Sequence, residues 1–127
     1  MLKKVKEYMT ELPHTIGHDM TVEKANMMMS EYKCHHLPVL DGGKLVGLVS
    51  DRDFKYTKNL VDHSNIKVEE LMTEDLLTVD ADSNVKDVLK EMLRLKVNSA
   101  IVSAKVEQSW GIFTTSDVIK LIVDLDL

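Results

Sequence analysis

The sequence predicts an α+β protein built from two β-α-β-β-α repeats that pack sheet to sheet about a pseudo-two-fold axis. Three observations point there. Residues 9–39 recur at 72–102 with an offset of 63 and nine identities: Met9/Met72, Thr10/Thr73, Glu11/Glu74, Thr15/Thr78, Asp19/Asp82, Val22/Val85, Met29/Met92, Lys33/Lys96 and Val39/Val102. The stretch Gly47-Leu48-Val49-Ser50-Asp51-Arg52-Asp53 recurs at an offset of 64 as Gly111-Ile112-Phe113-Thr114-Thr115-Ser116-Asp117. Each copy also runs through helical and strand-like hydrophobic periods in the same order. Half of a 127-residue chain is too small to cover its own apolar faces, so the copies are expected to cover each other.

Taken in order, residues 2–9 read as a short helical lead-in with Val5, Tyr8 and Met9 on one side. Leu12 to Ile16 is extended and broken by Pro13. Asp19 and Thr21 are helix-start residues. Val22, Ala25, Met29 and Tyr32 then mark one helix face. His36 to Leu40 is an apolar strand, Asp41-Gly42-Gly43 a hairpin turn, and Lys44 to Val49 the return strand. A helix follows from about Asp51. Residues 59–67 are polar and carry no period. The boundaries are therefore set at 1–60 for the first repeat with its lead-in, 61–67 for a linker and 68–127 for the second repeat. In the second copy Val68 to Met72 is helical, Leu76 to Val79 extended, and Val85, Val88, Leu89, Met92 and Leu95 face inward. Ser99–Ser103 and Trp110–Thr114 are strands, and Asp117–Val123 is the closing helix.

Bulk properties narrow the function classes. With 44% hydrophobic and only 5% aromatic residues, the core must be filled by Val, Leu, Ile and the eight Met. A net charge of −5 argues against a nucleic-acid surface, which needs clustered Lys and Arg. The N-terminal residues lack a signal peptide's apolar run, and no segment has 18 uninterrupted apolar residues. A cytoplasmic protein without a membrane partner is expected. Cys34 is the only cysteine, so no internal disulfide is possible.

The twin junctions carry the chemistry. A hydroxyl followed three residues later by an acid at a helix start is most simply a capping box. The same geometry serves a ligand: free N–H groups and a positive dipole end suit a phosphate. Ser50 and Thr114 can donate to it, and Asp53 and Asp117 can accept from the vicinal diol of a ribose. Cys34, His35 and His36, with His14 and His18, invite a metal reading. Neighbouring strand residues point to opposite faces, however, and no Cys-x-x-Cys or His-Glu-x-x-His spacing exists. Met29 and Met92 fall on inward faces, and one of Met27 and Met28 is expected at an interface between chains. No P-loop, Gly-x-Gly-x-x-Gly or nucleophile motif is present, so no enzyme activity is expected.

Together, the order of elements, Tyr8-Met9-Thr10 and Leu71-Met72-Thr73, His36-Leu37-Pro38-Val39-Leu40-Asp41 with its Gly hairpin, and the twin Gly-x-x-Ser/Thr-x-x-Asp ends resemble a tandem pair of CBS domains, the Bateman module, over residues 5–123. The resemblance implies a regulatory module that binds an adenosine nucleotide (AMP, ADP or ATP) and needs no other cofactor. It signals to an effector protein and forms a homodimer through the closing helices. It further implies two clefts. One combines Thr114, Ser116 and Asp117 with Thr10, His14, Thr15, Cys34 and His35. The other combines Ser50, Arg52 and Asp53 with Thr73, Leu77, Thr78, Val97 and Asn98, and Arg52 makes it the favoured one. The alternatives are a ligand-free dimerisation or scaffold module, or a binder of S-adenosylmethionine or NAD. The second copy departs from the pattern at Ile101, where the first has Pro38, and at Ser103-Ala104-Lys105, where the first has Asp-Gly-Gly.

Overall fold

The computed structural model describes residues 3–55, 62–103 and 110–125. Among them are seven strands and four α-helices: β1 Thr10–Glu11, β2 Ile16–Gly17, α1 Val22–Tyr32, β3 His36–Asp41, β4 Lys44–Ser50, α2 Asp51–Lys55, β5 Thr78–Asp80, α3 Val85–Leu95, β6 Ser99–Ser103, β7 Trp110–Thr114 and α4 Thr115–Asp124. Short 3-10 turns at Val5–Glu7 and Val68–Glu70 open the two copies. The α+β class read from the sequence stands. No helix among the described residues is long and apolar enough to cross a membrane.

The chain forms two compact units that do not follow the order of the copies. One, split in sequence, joins Met1–Pro13 to Leu77–Leu127; the other, continuous, is His14–Leu76. The split unit holds a sheet of order β1-β7-β6-β5 and the continuous unit one of order β2-β3-β4. Each sheet thus has a parallel pair and an antiparallel hairpin, β5–β6–β7 in one and β2–β3–β4 in the other.

Each unit is completed by the opening segment of the other copy. Val5 and Val68 are fully buried, in the split and continuous cores respectively. Val5 N donates to the Ser83 carbonyl at 2.8 Å, as Val68 N donates to that of Met20 at 2.8 Å. Next along the chain, β1 pairs with β7 (Thr10 opposite Ile112), while Thr73 exchanges two backbone hydrogen bonds with Leu48, at 2.8 and 2.9 Å. A Cβ on Gly111 would stand 2.6 Å from the Thr10 carbonyl oxygen and 2.8 Å from Met9 Sδ. One on Gly47 would meet Met72 Sδ at 2.5 Å, with the Thr73 oxygen at 3.1 Å. These glycines are required by the close approach of another backbone.

Local signals explain the remaining elements. Thr21 Oγ1 accepts from Lys24 N and caps α1; Asn84 Oδ1 accepts from Lys86 N and caps α3. Gly42 and Gly43, both at positive φ, make the two-residue turn between β3 and β4. Several expectations need correction. The run Leu12–Ile16, expected to be extended, is the link between two short strands: Leu12 bends with φ 43° ahead of Pro13, and only Ile16 of the run lies in a strand. The predicted helix at Val68–Met72 is a single 3-10 turn ending at Glu70, and the strand begins at Thr78 rather than Leu76. Tyr32 and Leu95, placed inward by periodicity, are 43% and 42% exposed because each lies in the last turn of its helix. Met29 and Met92 are buried as expected, Met27 is exposed and Met28 packs on the core. The turn after Ser103 and the helical continuation beyond Lys55 lie outside the described residues.

Two predictions follow from this packing. Gly111→Ala is expected to cost about 1–3 kcal/mol, the range for overpacking, and more than Gly47→Ala, since its Cβ meets backbone where Gly47 meets a flexible methionine. Urea midpoints of the two variants check the order. The second concerns His18, whose Nδ1 lies 2.6 Å from Glu69 Oε2 and whose Nε2 lies 3.4 Å from Asp41 Oδ1. The Glu69 hydrogen bond, with Asp41 and Asp19 nearby, raises its titration above the ordinary 6.5. The stabilisation is therefore fully present below about pH 6.5 and is lost as pH rises through the folded-state value. His18→Gln should remove this component of the pH dependence, measured as the difference between wild-type and variant urea midpoints across pH 5–9.

Candidate functional site

Strand direction decides which predicted residues meet. In the continuous unit, β2 and β3 run parallel and β4 returns against them, with His36 opposite Ser50. The starts of β2 and β3 and the end of β4 therefore lie toward one end of the sheet. His14 and Thr15 immediately precede β2, Cys34 and His35 precede β3, and Ser50 ends β4. Thr73 lies beside β4 through its Leu48 bridge. The split unit repeats the plan. Leu77 and Thr78 stand at the start of β5, Val97 and Asn98 precede β6, and Thr114 ends β7 opposite Ser99. Thr10, Ile112, Ile101 and Thr78 form one row across that sheet, so their side chains share a face. The structure thus gathers Ser50, Arg52, Asp53, Thr73, His14, Thr15, Cys34 and His35 in one unit and the other eight predicted residues in the other.

Both junctions are formed capping motifs. Ser50 N donates to Asp53 Oδ2 at 2.9 Å, Ser50 Oγ donates to the same oxygen at 3.1 Å, and Asp53 N reaches back to Ser50 Oγ at 3.4 Å. Thr114 N donates to Asp117 Oδ2 at 2.9 Å and Thr114 Oγ1 to the same oxygen at 3.4 Å. The hydroxyl protons expected to meet a phosphate are thus already engaged. In each carboxylate the hydrogen bonds fall on Oδ2. Asp117 is 3% exposed, and this burial raises its carboxyl above the ordinary value, against the Thr114 hydrogen bonds and Lys120, whose Nζ stands 3.9 Å from Oδ1. Asp53 is only half-buried, and Arg52 beside it is exposed.

The polar lining of the continuous unit is organised by short contacts. His35 Nδ1 lies 2.8 Å from Asp51 Oδ2, and Asp51 N donates to the His35 carbonyl at 3.0 Å. Burial tends to raise the Asp51 carboxyl, but the His35 bond and charge, with Lys55, outweigh it and leave it below its usual value. His14 stacks on Tyr32, ring centroids 3.7 Å apart. Cys34 is a half-buried free thiol, and burial pushes its titration up, away from thiolate reactivity. Among the described residues no three His, Cys, Asp or Glu side chains gather as a metal-binding group. The clefts drawn from the sequence left out His36, Asp51 and Tyr32. Cross-strand register against Ser50, once β4 was placed, was the signal for His36.

A family model described as the CBS domain matches residues 5–57 and again residues 68–124. The chain belongs to the CBS-domain family. The CBS pair is similar to an uncharacterized protein of Methanocaldococcus jannaschii, 33% identical over 94% of this chain and 44% of that one. It is also 29% identical to inosine-5'-monophosphate dehydrogenase of Korarchaeum cryptofilum, over 92% of this chain and 24% of the enzyme. It therefore spans less than half the length of either relative. Among solved structures, the CBS domain of the bacterial CNNM/CorC family Mg2+ transporter in complex with ATP is 26% identical, with a TM-score of 0.81, over 95% of this chain and 87% of that one.

The two roles of the junction acid separate by substitution. Asp117→Ala removes the acceptor for Thr114 N and is expected to cost about 1 kcal/mol. Asp117→Asn keeps an acceptor and escapes the burial cost of the charge, while forgoing its attraction to the helix dipole. It should therefore stay within about 1 kcal/mol of wild type. Denaturant unfolding at pH 7 checks both.

Proposed function

We propose that this CBS pair is a regulatory module that binds an adenosine-type nucleotide, AMP, ADP or ATP, at its strand-end junctions and passes a conformational or dimer-state change to an effector protein. The observation that carries the reading is the duplication of one device. Twice, a strand end presents a hydroxyl and a carboxylate at a helix start, and each carboxylate keeps its second oxygen outside the capping hydrogen bonds. That second oxygen suits a ribose diol, and the helix start suits a phosphate. The ATP complex of the transporter's CBS domain supports the nucleotide class.

The proposed contacts are Ser50, Arg52, Asp53, Thr73, His14, Thr15, Cys34 and His35 in the continuous unit. In the split unit they are Thr114, Ser116, Asp117, Thr10, Leu77, Thr78, Val97 and Asn98. The Asp53 junction is favoured because its acid is more open than Asp117 and has Arg52 beside it. Binding requires no catalysis, and the module is read as a cytoplasmic, non-enzymatic homodimer. The apolar side chains that α4 leaves exposed, Ile119 at 63% and Val123 at 71%, support the pairing of two chains.

A ligand-free dimerisation scaffold is the reading from another class. It is favoured by the Ser50–Asp53 and Thr114–Asp117 pairs, which satisfy each other without a ligand. Calorimetric titration with AMP, ADP, ATP, S-adenosylmethionine and NAD decides between them. The sensor reading expects an adenosine nucleotide to bind with Kd below about 1 mM, and Asp53→Ala to weaken it. Binding of S-adenosylmethionine or NAD alone would reassign the ligand. Silence from all five would leave the scaffold.

A further inference from the structure

The Asp53 junction carries an imidazole that its twin lacks. His36 is the partner of Ser50 across β3 and β4, so the two side chains leave the sheet on the same face. The equivalent pair in the split unit is Ser99 and Thr114. The His36 ring is half-buried and has no hydrogen bond or ion pair among the described residues. Burial holds it neutral, below the ordinary histidine value; Asp51 pulls it the other way, His35 adds to the lowering and Asp53 opposes it. These are the charged groups that act on it: His35 just before its strand, and Asp51 and Asp53 on α2.

Such a ring is poised to change charge. A phosphate bound beside Ser50 would meet, on the same face of the sheet, an imidazole with no partner among the described residues. A phosphate monoester carries roughly −1.5 to −2 charges, and imidazolium N–H bonds to phosphate are stronger than neutral ones. We propose that His36 recognises the phosphate of a nucleotide bound at the Asp53 junction and takes up a proton from solvent as it does so. This inference rests on the nucleotide-binding reading above and adds to it the residue that senses the phosphate. Because Ser99 replaces the imidazole in the second copy, the coupling belongs to one junction only. The linked proton makes AMP bind more tightly as pH falls, at most about tenfold per pH unit, and the gain is lost as pH rises through the bound-state value. Adenosine, which has no phosphate, gains nothing.

Calorimetry at pH 7 in two buffers of different ionisation heat counts the protons. Wild type, His36→Gln and His36→Asn are each titrated with AMP and with adenosine, after circular dichroism has shown that the variants keep the fold. Uptake of a fraction of a proton with AMP by wild type, absent with adenosine and lost in both variants, is the expected result. The nucleotide phosphate's own titration enters every AMP experiment alike, so the difference between proteins isolates His36. Histidine NMR supplies a second readout, in which the His36 titration moves upward on addition of AMP. Equal uptake in wild type and variants, or an unmoved His36 titration with AMP bound, overturns the inference and leaves nucleotide binding standing. Failure of wild type to bind either AMP or adenosine overturns both.

Discussion

At two places in this molecule a strand must be glycine because another stretch of backbone lies against it. The carbonyl of Thr10 occupies the space of a Gly111 side chain, and Met72 with the carbonyl of Thr73 occupies that of Gly47. The Met-Thr segments laid there are continuous with the 3-10 turns that bury Val5 and Val68. Each compact unit therefore takes a valine, an edge and a methionine from the copy whose sheet lies elsewhere. Removing the opening segment of one copy would leave a hole in the core of the unit holding the other. The division of the chain into repeats and its division into packed units are different, and stability follows the second.

The same glycine-bearing strands end in the junctions, so the exchange also fixes where Ser50 and Thr114 stand. Capping and ligand binding are often set against each other as explanations for such residues. The oxygen accounting shows that they are compatible in part. Asp53 Oδ2 accepts from Ser50 N and Oγ, which leaves Oδ1 for a diol donor. The Ser50 hydroxyl is more constrained, because its proton points at Asp53, and to donate to a phosphate it must give that bond up. The first-turn N–H groups are spent as well, Asp51 N on the His35 carbonyl and Asp53 N on Ser50 Oγ, so a phosphate at this junction is better served by side-chain donors, Arg52 and a protonated His36.

Much of the architecture was legible because it rests on local chemistry. Trp110–Thr114 and Ser99–Ser103 are strands as read, Thr21 caps α1, and Asp41-Gly42-Gly43 turns the hairpin. The misreadings share a cause. Periodicity places a side chain on a face but does not say what lies against it, so Tyr32 and Leu95 were grouped with the inward residues although both are exposed, Tyr32 with the His14 ring stacked on it. A two-residue strand such as β1 has no period at all, and its partner β7 lies about a hundred residues away in sequence. At the site, residue types and spacing pointed to Ser50, Asp53, Thr114 and Asp117. His36 entered only as a metal candidate, since its place beside Ser50 is set by the strand opposite, whereas its neighbour His35 was assigned to a cleft by the family resemblance. His35 turned out to be bound to Asp51.

A duplicated chain offers a control within itself. Positions that match between copies and pack alike, such as Val5 with Val68, Val22 with Val85 and Gly47 with Gly111, are demanded by the exchange and say little about ligands. Positions that differ while their backbone stays equivalent are free of that demand. His36 against Ser99, Arg52 against Ser116, and the half-open Asp53 against the buried Asp117 are three such differences, all within one turn of a junction. The first two bring nitrogen donors to the first junction, which suit an anion, and the third leaves its acid more open to a hydroxyl donor. In the second junction, burial penalises the carboxylate and Lys120 partly compensates it, an arrangement that favours holding α4 over meeting a charged ligand. Since the capping hydrogen bonds are common to both, structure alone would not separate them. The difference in charge and exposure around an otherwise shared frame is the physical ground for assigning the two junctions unequal work.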